Sequence, residues 1–130
     1  MVMTEKTKRV GIIDGKFHPC PESPKCVSTQ STDEKHKMKP IEYEGSLEDA
    51  KSKIINIIKS IKRSKIITET NDYILSEFRT RFWHFVDDVE FYFNDTEKII
   101  HFRSSARFGY YDWGVNRKRM QNIIDSFKMA

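Results

Sequence analysis

The chain holds no apolar run close to the roughly 18 to 20 residues that a membrane-spanning helix needs, so no membrane span is expected. Its first nine residues, Met1 to Arg9, are polar and lack the apolar core of a secretory leader, and a cytoplasmic location follows as the expectation. Two cysteines are too few to staple a fold of 130 residues. The four prolines all fall between Pro19 and Pro40, which leaves the rest of the chain free of strong breakers. Phosphate-loop, dinucleotide and kinase signatures are missing, and Ser104 and Ser105 lack the glycines of a nucleophile elbow. Positive charge is in slight excess only. Against 19 acids stand 23 lysines and arginines, and a net +4 is modest for a nucleic-acid binder.

What remains is a soluble-type composition, 38% hydrophobic with 12% aromatic, sufficient for one core. Residues 1–16 form a polar N-terminal segment with a short strand at Val10–Ile13 before the Asp14-Gly15 turn signal. Residues 17–130 read as a single domain that opens with a Pro-rich, Cys-containing loop, 17–40, without visible periodicity. A strand is expected over Pro40–Gly45. Ser46 then caps a helix over 47–61, with Leu47, Ala50, Ile54, Ile57, Ile58 and Ile61 on one face. Four strands follow with short turns between them: 65–70, 73–79, 85 or 89 to 93, and 98–104. A last helix over 114–128 carries Met120, Ile123, Ile124 and Phe127 on one face. The order strand, helix, four strands, helix makes a two-layer α+β domain. An antiparallel sheet of about five strands is covered by two helices, in a TATA-binding-protein-like or helix-grip-like order. The expected core includes Ile54, Ile58, Phe91, Phe93, Phe102, Ile123, Ile124 and Phe127.

The charge excess is local. The seventeen residues from Arg103 to Arg119 contain five basic side chains and one acid, so they carry a balance equal to that of the whole chain. Four aromatics and two glycines share the stretch, which reads as a strand exit, a loop and a helix start. Arg117, Lys118 and Arg119 fall in the first turns of that helix, where positive charge opposes the helix dipole; a solvated surface, a carboxylate or a bound anion would offset it. Asp87 and Asp88, set among apolar residues, need cationic partners. In a hairpin turning at Asn94-Asp95-Thr96 they lie beside Arg103 and the following loop. Arg103, Arg107 and Arg117 are therefore expected to converge with Asp87 and Asp88 at one end of the sheet, with Tyr110 and Asn116 completing a ligand-facing set.

Cys20 and Cys26, with His18 and His36 nearby, allow three states: a zinc site, a labile disulfide, or two free thiols. The wide cysteine spacing matches no common zinc motif, and a reducing cytosol disfavours the disulfide, so a pair of reduced thiols near enough to oxidise is the favoured state and no metal is assigned. His84 and His101 stand alone, with no nucleophile to activate.

Three separated blocks carry a family resemblance: Cys20 to Ser28, Phe85 to Glu90, and Arg103 to Tyr110 continued by Asp112 and Gly114 to Arg119. In this order they resemble the uncharacterised bacterial and plastid family catalogued as domain of unknown function 1499, over about residues 17 to 128. Lys25 stands where that family usually has Asn, and Trp113 where it often has Leu. Many members look exported, lipoprotein-like or thylakoid-lumenal, and the resemblance implies that in such settings the two cysteines could pair. It brings no established activity and no cofactor.

The function expected is a binding module that holds a small anionic ligand, or an acidic segment of a partner protein, through the arginine cluster. One alternative is an enzyme using Asp87 or Asp88 with that cluster on a phosphate- or carboxylate-bearing substrate. The other is a structural Asp–Arg network with no ligand. An open cleft beside Arg107 favours the first two; closed Asp–Arg pairing favours the third.

Overall fold

The computed structural model describes residues 9–82 and 84–130; the first eight residues of the expected polar segment, and Trp83, lie outside the described residues. In chain order the elements are β1 (Ile12–Ile13), β2 (Lys16–Phe17), β3 (Cys26–Ser28), β4 (Ile41–Glu42), α1 (Leu47–Ser60), β5 (Ser64–Glu69), β6 (Tyr73–Arg79), β7 (Val86–Asn94), β8 (Ile99–Ala106) and α2 (Val115–Met129). β1 and β2 form a small hairpin. The other six strands make one antiparallel sheet in the order β3-β8-β7-β6-β5, with β4 pairing β8 beside β3.

The meander from β5 to β8 and both helices lie where residue patterning puts them, and the class is α+β. The strand count is the difference. The expected strand at 40–45 shrinks to Ile41–Glu42, and the Pro-rich loop supplies a strand of its own, Cys26↔Ser105 to Ser28↔Arg103, which continues the same edge of β8. Val27 explains why a three-residue strand holds there: it is buried in the main core.

α1 starts at Ser46, whose Oγ accepts the Asp49 N–H at 3.0 Å, and Glu48 and Asp49 favour the positive end of the helix. Its Ala50, Ile54 and Ile58 meet Met120, Ile123 and Phe127 of α2 over Ile74, Val89, Phe91, Phe93, Ile100 and Phe102 of the sheet. The apolar face of α2 runs through Asn116, Met120, Ile123 and Phe127. Ile124, expected in the core, is only partly buried, because the three- and four-residue steps of that stripe turn it towards the edge.

Strand alternation decides the rest. Along β7, Asp87, Val89, Phe91 and Phe93 face the helices, while Asp88 and Glu90 face the opposite side. There the chain leading into the β1–β2 hairpin meets them: Gly11 N–H donates to Glu90 at 2.7 Å and Arg9 lies 3.5 Å from Asp88. Gln30 ties that hairpin down by accepting from Phe17 N–H and donating to the Gly15 carbonyl, both at 2.8 Å.

Candidate functional site

The two aspartates that adjoin in sequence point through opposite faces of the sheet, and each builds a separate polar network. On the helix side, Asp87 (3% exposed) accepts from Arg119 Nη2 at 2.7 Å. The Arg119 guanidinium lies 5.0 Å above the Phe78 ring and donates from Nη1 to Asn116 Oδ1 at 2.7 Å. Asn116, fully buried, also accepts from Ser104 Oγ and donates to the Lys25 carbonyl at 3.2 Å and to Asp112 Oδ2 at 2.8 Å. This network is closed. Burial pushes the Asp87 carboxyl up, opposed by the attraction of Arg119.

Asp112 answers the question posed by the basic first turn of α2. The helix starts at Gly114 in a left-handed conformation (φ 77°) that glycine adopts freely, and no side chain caps it from that position. Instead the Asp112 carboxylate accepts the N–H groups of Gly114 at 2.9 Å and Asn116 at 3.1 Å, putting negative charge where the dipole favours it.

On the other face, Asp88 receives a two-pronged bond from Arg107, Nε to Oδ2 at 2.9 Å and Nη2 to Oδ1 at 2.7 Å. Arg107 Nη2 also donates to Glu77 at 2.7 Å, and Arg9 approaches Asp88 at 3.5 Å. The bonds from Asp88 and Glu77 hold the Arg107 guanidinium firmly protonated. Deeper in, Glu90 accepts from Tyr73 Oη at 2.7 Å as well as from Gly11. Its other oxygen meets Arg103 Nη1 only at 3.5 Å. Desolvation raises the Glu90 carboxyl and lowers the Arg103 guanidinium, as expected for two buried ions joined by a stretched contact. Arg103 Nη2 reaches the Pro19 carbonyl at 3.3 Å, and its Nε, buried, finds no acceptor among the described residues.

Above this network lies an open cleft of about 290 Å³, lined by Arg9, Lys25, Arg103 and Arg107 with His18, Ser105 and a single carboxylate, Asp88. Four other hollows, of about 560, 400, 640 and 340 Å³, are larger. The hollow of 560 Å³ is lined by acids and lysines and that of 640 Å³ by Met38, Ile41 and Ile124 together with Lys39, Glu42, Arg117 and Lys128, and among the described residues none of the four is lined by an orphaned buried polar side chain.

The expected convergence is therefore corrected in part. Arg103 and Arg107 do share one site, with Asp88. Asp87 stands on the other side of the sheet, and its partner is Arg119, which the sequence reading left out of the charge network. An acid–base pair on one substrate is not available to two carboxylates facing opposite ways. Arg117 turns outward and donates to the carbonyls of Lys37 at 3.0 Å and Lys35 at 3.1 Å. Tyr110 is exposed on the loop and packs edge-on against Tyr111. Asn116 is an internal strut. Glu77 and Glu90 were missed, as were Arg9, His18 and Lys25 as cleft residues.

Cys20 and Cys26 are also corrected: the structure joins them in a disulfide, with Cα atoms 5.7 Å apart, where two free thiols were favoured. The bond links the cleft wall at Pro19 and Pro21 to β3. The zinc alternative loses both sulfur ligands, and His36 is occupied on both nitrogens, Nδ1 by Asp33 at 2.6 Å and Nε2 by the Ser23 carbonyl at 3.0 Å. His101 pairs through Nδ1 with Thr29 Oγ1 at 2.9 Å, and burial pushes its imidazole down.

These features describe an α+β protein with helices on one face of its sheet and a basic, disulfide-walled cleft on the other. Residues 16–127 match the model of a family of proteins of unknown function, DUF1499, and the chain belongs to that family. No curated protein matches the chain. No helix among the described residues is long and apolar enough to cross a membrane.

Proposed function

We propose that this protein is a binding module for a small oxyanion, of the phosphate, sulfate or carboxylate class, held in the cleft between Arg103, Arg107, Arg9 and Lys25. The observation that carries the reading is Arg103. A buried guanidinium with a stretched ion pair and an Nε without an acceptor among the described residues has incurred desolvation that these partners only partly offset. An oxyanion in the cleft it lines would complete its bonding. The charge balance agrees, since four cations against Asp88, Glu77 and Glu90 leave one positive charge. Arg107, fixed by two carboxylates, serves as a preorganised wall, and Lys25, whose Nζ donates to the Arg107 carbonyl at 3.3 Å, and Arg9 supply the remaining charges.

The test is a thermal-shift series with phosphate, sulfate and acetate against chloride at matched ionic strength. At a hundred times Kd, linkage gives about 2.7 kcal/mol, or on the order of 10 °C for a domain of this size. Lys25→Ala should weaken the shift, whereas Lys118→Ala, on the exposed first turn of α2, should leave it unchanged. Equal responses to all the anions and chloride would overturn the proposal.

A further inference from the structure

A second surface begins beyond Arg107, where the cleft ends, and does not depend on the reading of the cleft. Two loops adjoin at one end of the sheet, 80–85 and 107–114, tied by the Arg107 N–H to the Val86 carbonyl at 3.1 Å and by the Phe85–Phe108 ring contact at 6.4 Å. They display six aromatic side chains: Phe82, Phe85, Phe108, Tyr110, Tyr111 and Trp113. Trp113 is 89% exposed and Phe82 78%. A soluble surface scatters such residues singly; six on two touching loops mark a contact area. Trp113 is moreover held at φ 57°, a left-handed backbone that bulky residues rarely adopt, which sets its indole outward beside Tyr111 at 5.7 Å.

The charge around this tip selects its partner. Residues 79–85 contain Arg79 and Arg81 and no acid; residues 107–118 contain a single acid, Asp112. Both Asp112 oxygens are turned inward onto the start of α2. Arg81 lies 5.3 Å from the Phe82 ring, and Lys118 is exposed on the next turn of chain. The tip thus offers aromatic rings flanked by cations with no outward carboxylate. Its rings protrude instead of lining a groove, so a rigid partner would need a matching hollow, whereas a bilayer interface accommodates protruding rings directly. Trp and Tyr favour the headgroup level, and neighbouring Arg and Lys meet anionic lipids. We infer that this tip is a docking surface for an anionic lipid membrane, lying in the interface without crossing it.

The experiment uses the full chain with vesicles of phosphatidylcholine alone or mixed in equal parts with phosphatidylglycerol. Sedimentation with the mixed vesicles and not with phosphatidylcholine is expected. In Trp83→Phe, which leaves Trp113 as the only tryptophan, the emission should shift to the blue on binding. Trp113→Ala and Tyr111→Ala should each lower partitioning by about tenfold. Arg81→Glu should lower it by about thirtyfold, one positive charge lost and one negative gained. Arg81, Tyr111 and Trp113 are exposed, so circular dichroism melts of their variants should match the wild type; if a loop variant fails that control, Arg81→Glu still decides. No sedimentation of the wild type, sedimentation unchanged in the variants, or a dimer in ultracentrifugation that the same substitutions dissolve would overturn the inference, the last by assigning the tip to a second copy of the chain.

Discussion

Removing Asp87 should unsettle the fold from the helix side while leaving the cleft chemistry in place. The carboxylate is 4% exposed and Arg119 13%, so Asp87→Ala strands a guanidinium between Phe78 and Asn116. Breaking a buried pair costs about 3 to 5 kcal/mol. Arg119 keeps its bond to Asn116 and a little solvent, which places the loss near the lower end, about 3 kcal/mol, or on the order of 10 °C in Tm. Asp87→Asn keeps an acceptor and loses only the charge, so it should cost about 1 to 2 kcal/mol. Replacing both partners, Asp87→Ala with Arg119→Met, removes the stranded charge and should be milder than the sum of the single changes by about 2 kcal/mol. Urea unfolding followed by circular dichroism measures the wild type, both Asp87 variants, Arg119→Met and the double variant, with an unchanged slope confirming that the native state alone is affected. Strictly additive losses, or an Asp87→Ala loss under about 1 kcal/mol, would refute the closed network on this face.

Other consequences are simpler to check. Burial raises the Glu90 carboxyl above its ordinary 4.5, so the native state keeps a proton that the unfolded chain releases, and its contribution to stability falls as pH rises from 4.5 towards the raised value. Unfolding free energies of wild type minus Glu90→Gln should therefore decline through that window, and a rising difference would contradict the buried assignment. Reducing the Cys20–Cys26 bond, which closes a loop of sequence separation 6, should cost about 2 kcal/mol in urea unfolding with and without phosphine, and should weaken the anion response because Pro19 and Pro21 line the cleft. Ser46→Ala should cost about 1 kcal/mol through the lost cap on α1; no change in the urea midpoint would show that the cap bond contributes nothing.

The helices and the meander were legible in the chain because their patterns are long. Ala50, Ile54 and Ile58 repeat at helical spacing, and Val89, Phe91 and Phe93 alternate. β3 was not, since Cys26 to Ser28 is too short to show a period and is held by a neighbouring strand and the core beneath Val27. The site was half legible. Compositional clustering marks Arg103 and Arg107, but adjacency in sequence is not adjacency in space for Asp87 and Asp88. Period-2 alternation separates Asp87 from Asp88 and aligns Asp88 with Glu90, and the hairpin register then sets Glu90 opposite Arg103. In the same way, helical spacing joins Asn116 to Arg119 and turns Arg117 away. Glu90 escaped notice because its neighbours are apolar, which in a strand says nothing about its own face. Arg9, His18 and Lys25 come to the cleft through long-range loop packing that leaves no local signal.

The central claim is that Arg103 meets an oxyanion in the cleft, and nuclear magnetic resonance of arginine side-chain Nε–H groups tests it most directly. During titration with inorganic phosphate at constant ionic strength, the Arg103 Nε–H resonance should move saturably and in step with the backbone amides of Ser105 and Ala106, while Arg117 and Arg119 stay in place. An Arg103 signal that is unmoved, or that moves no more than that of the outward-facing Arg117, would contradict the account.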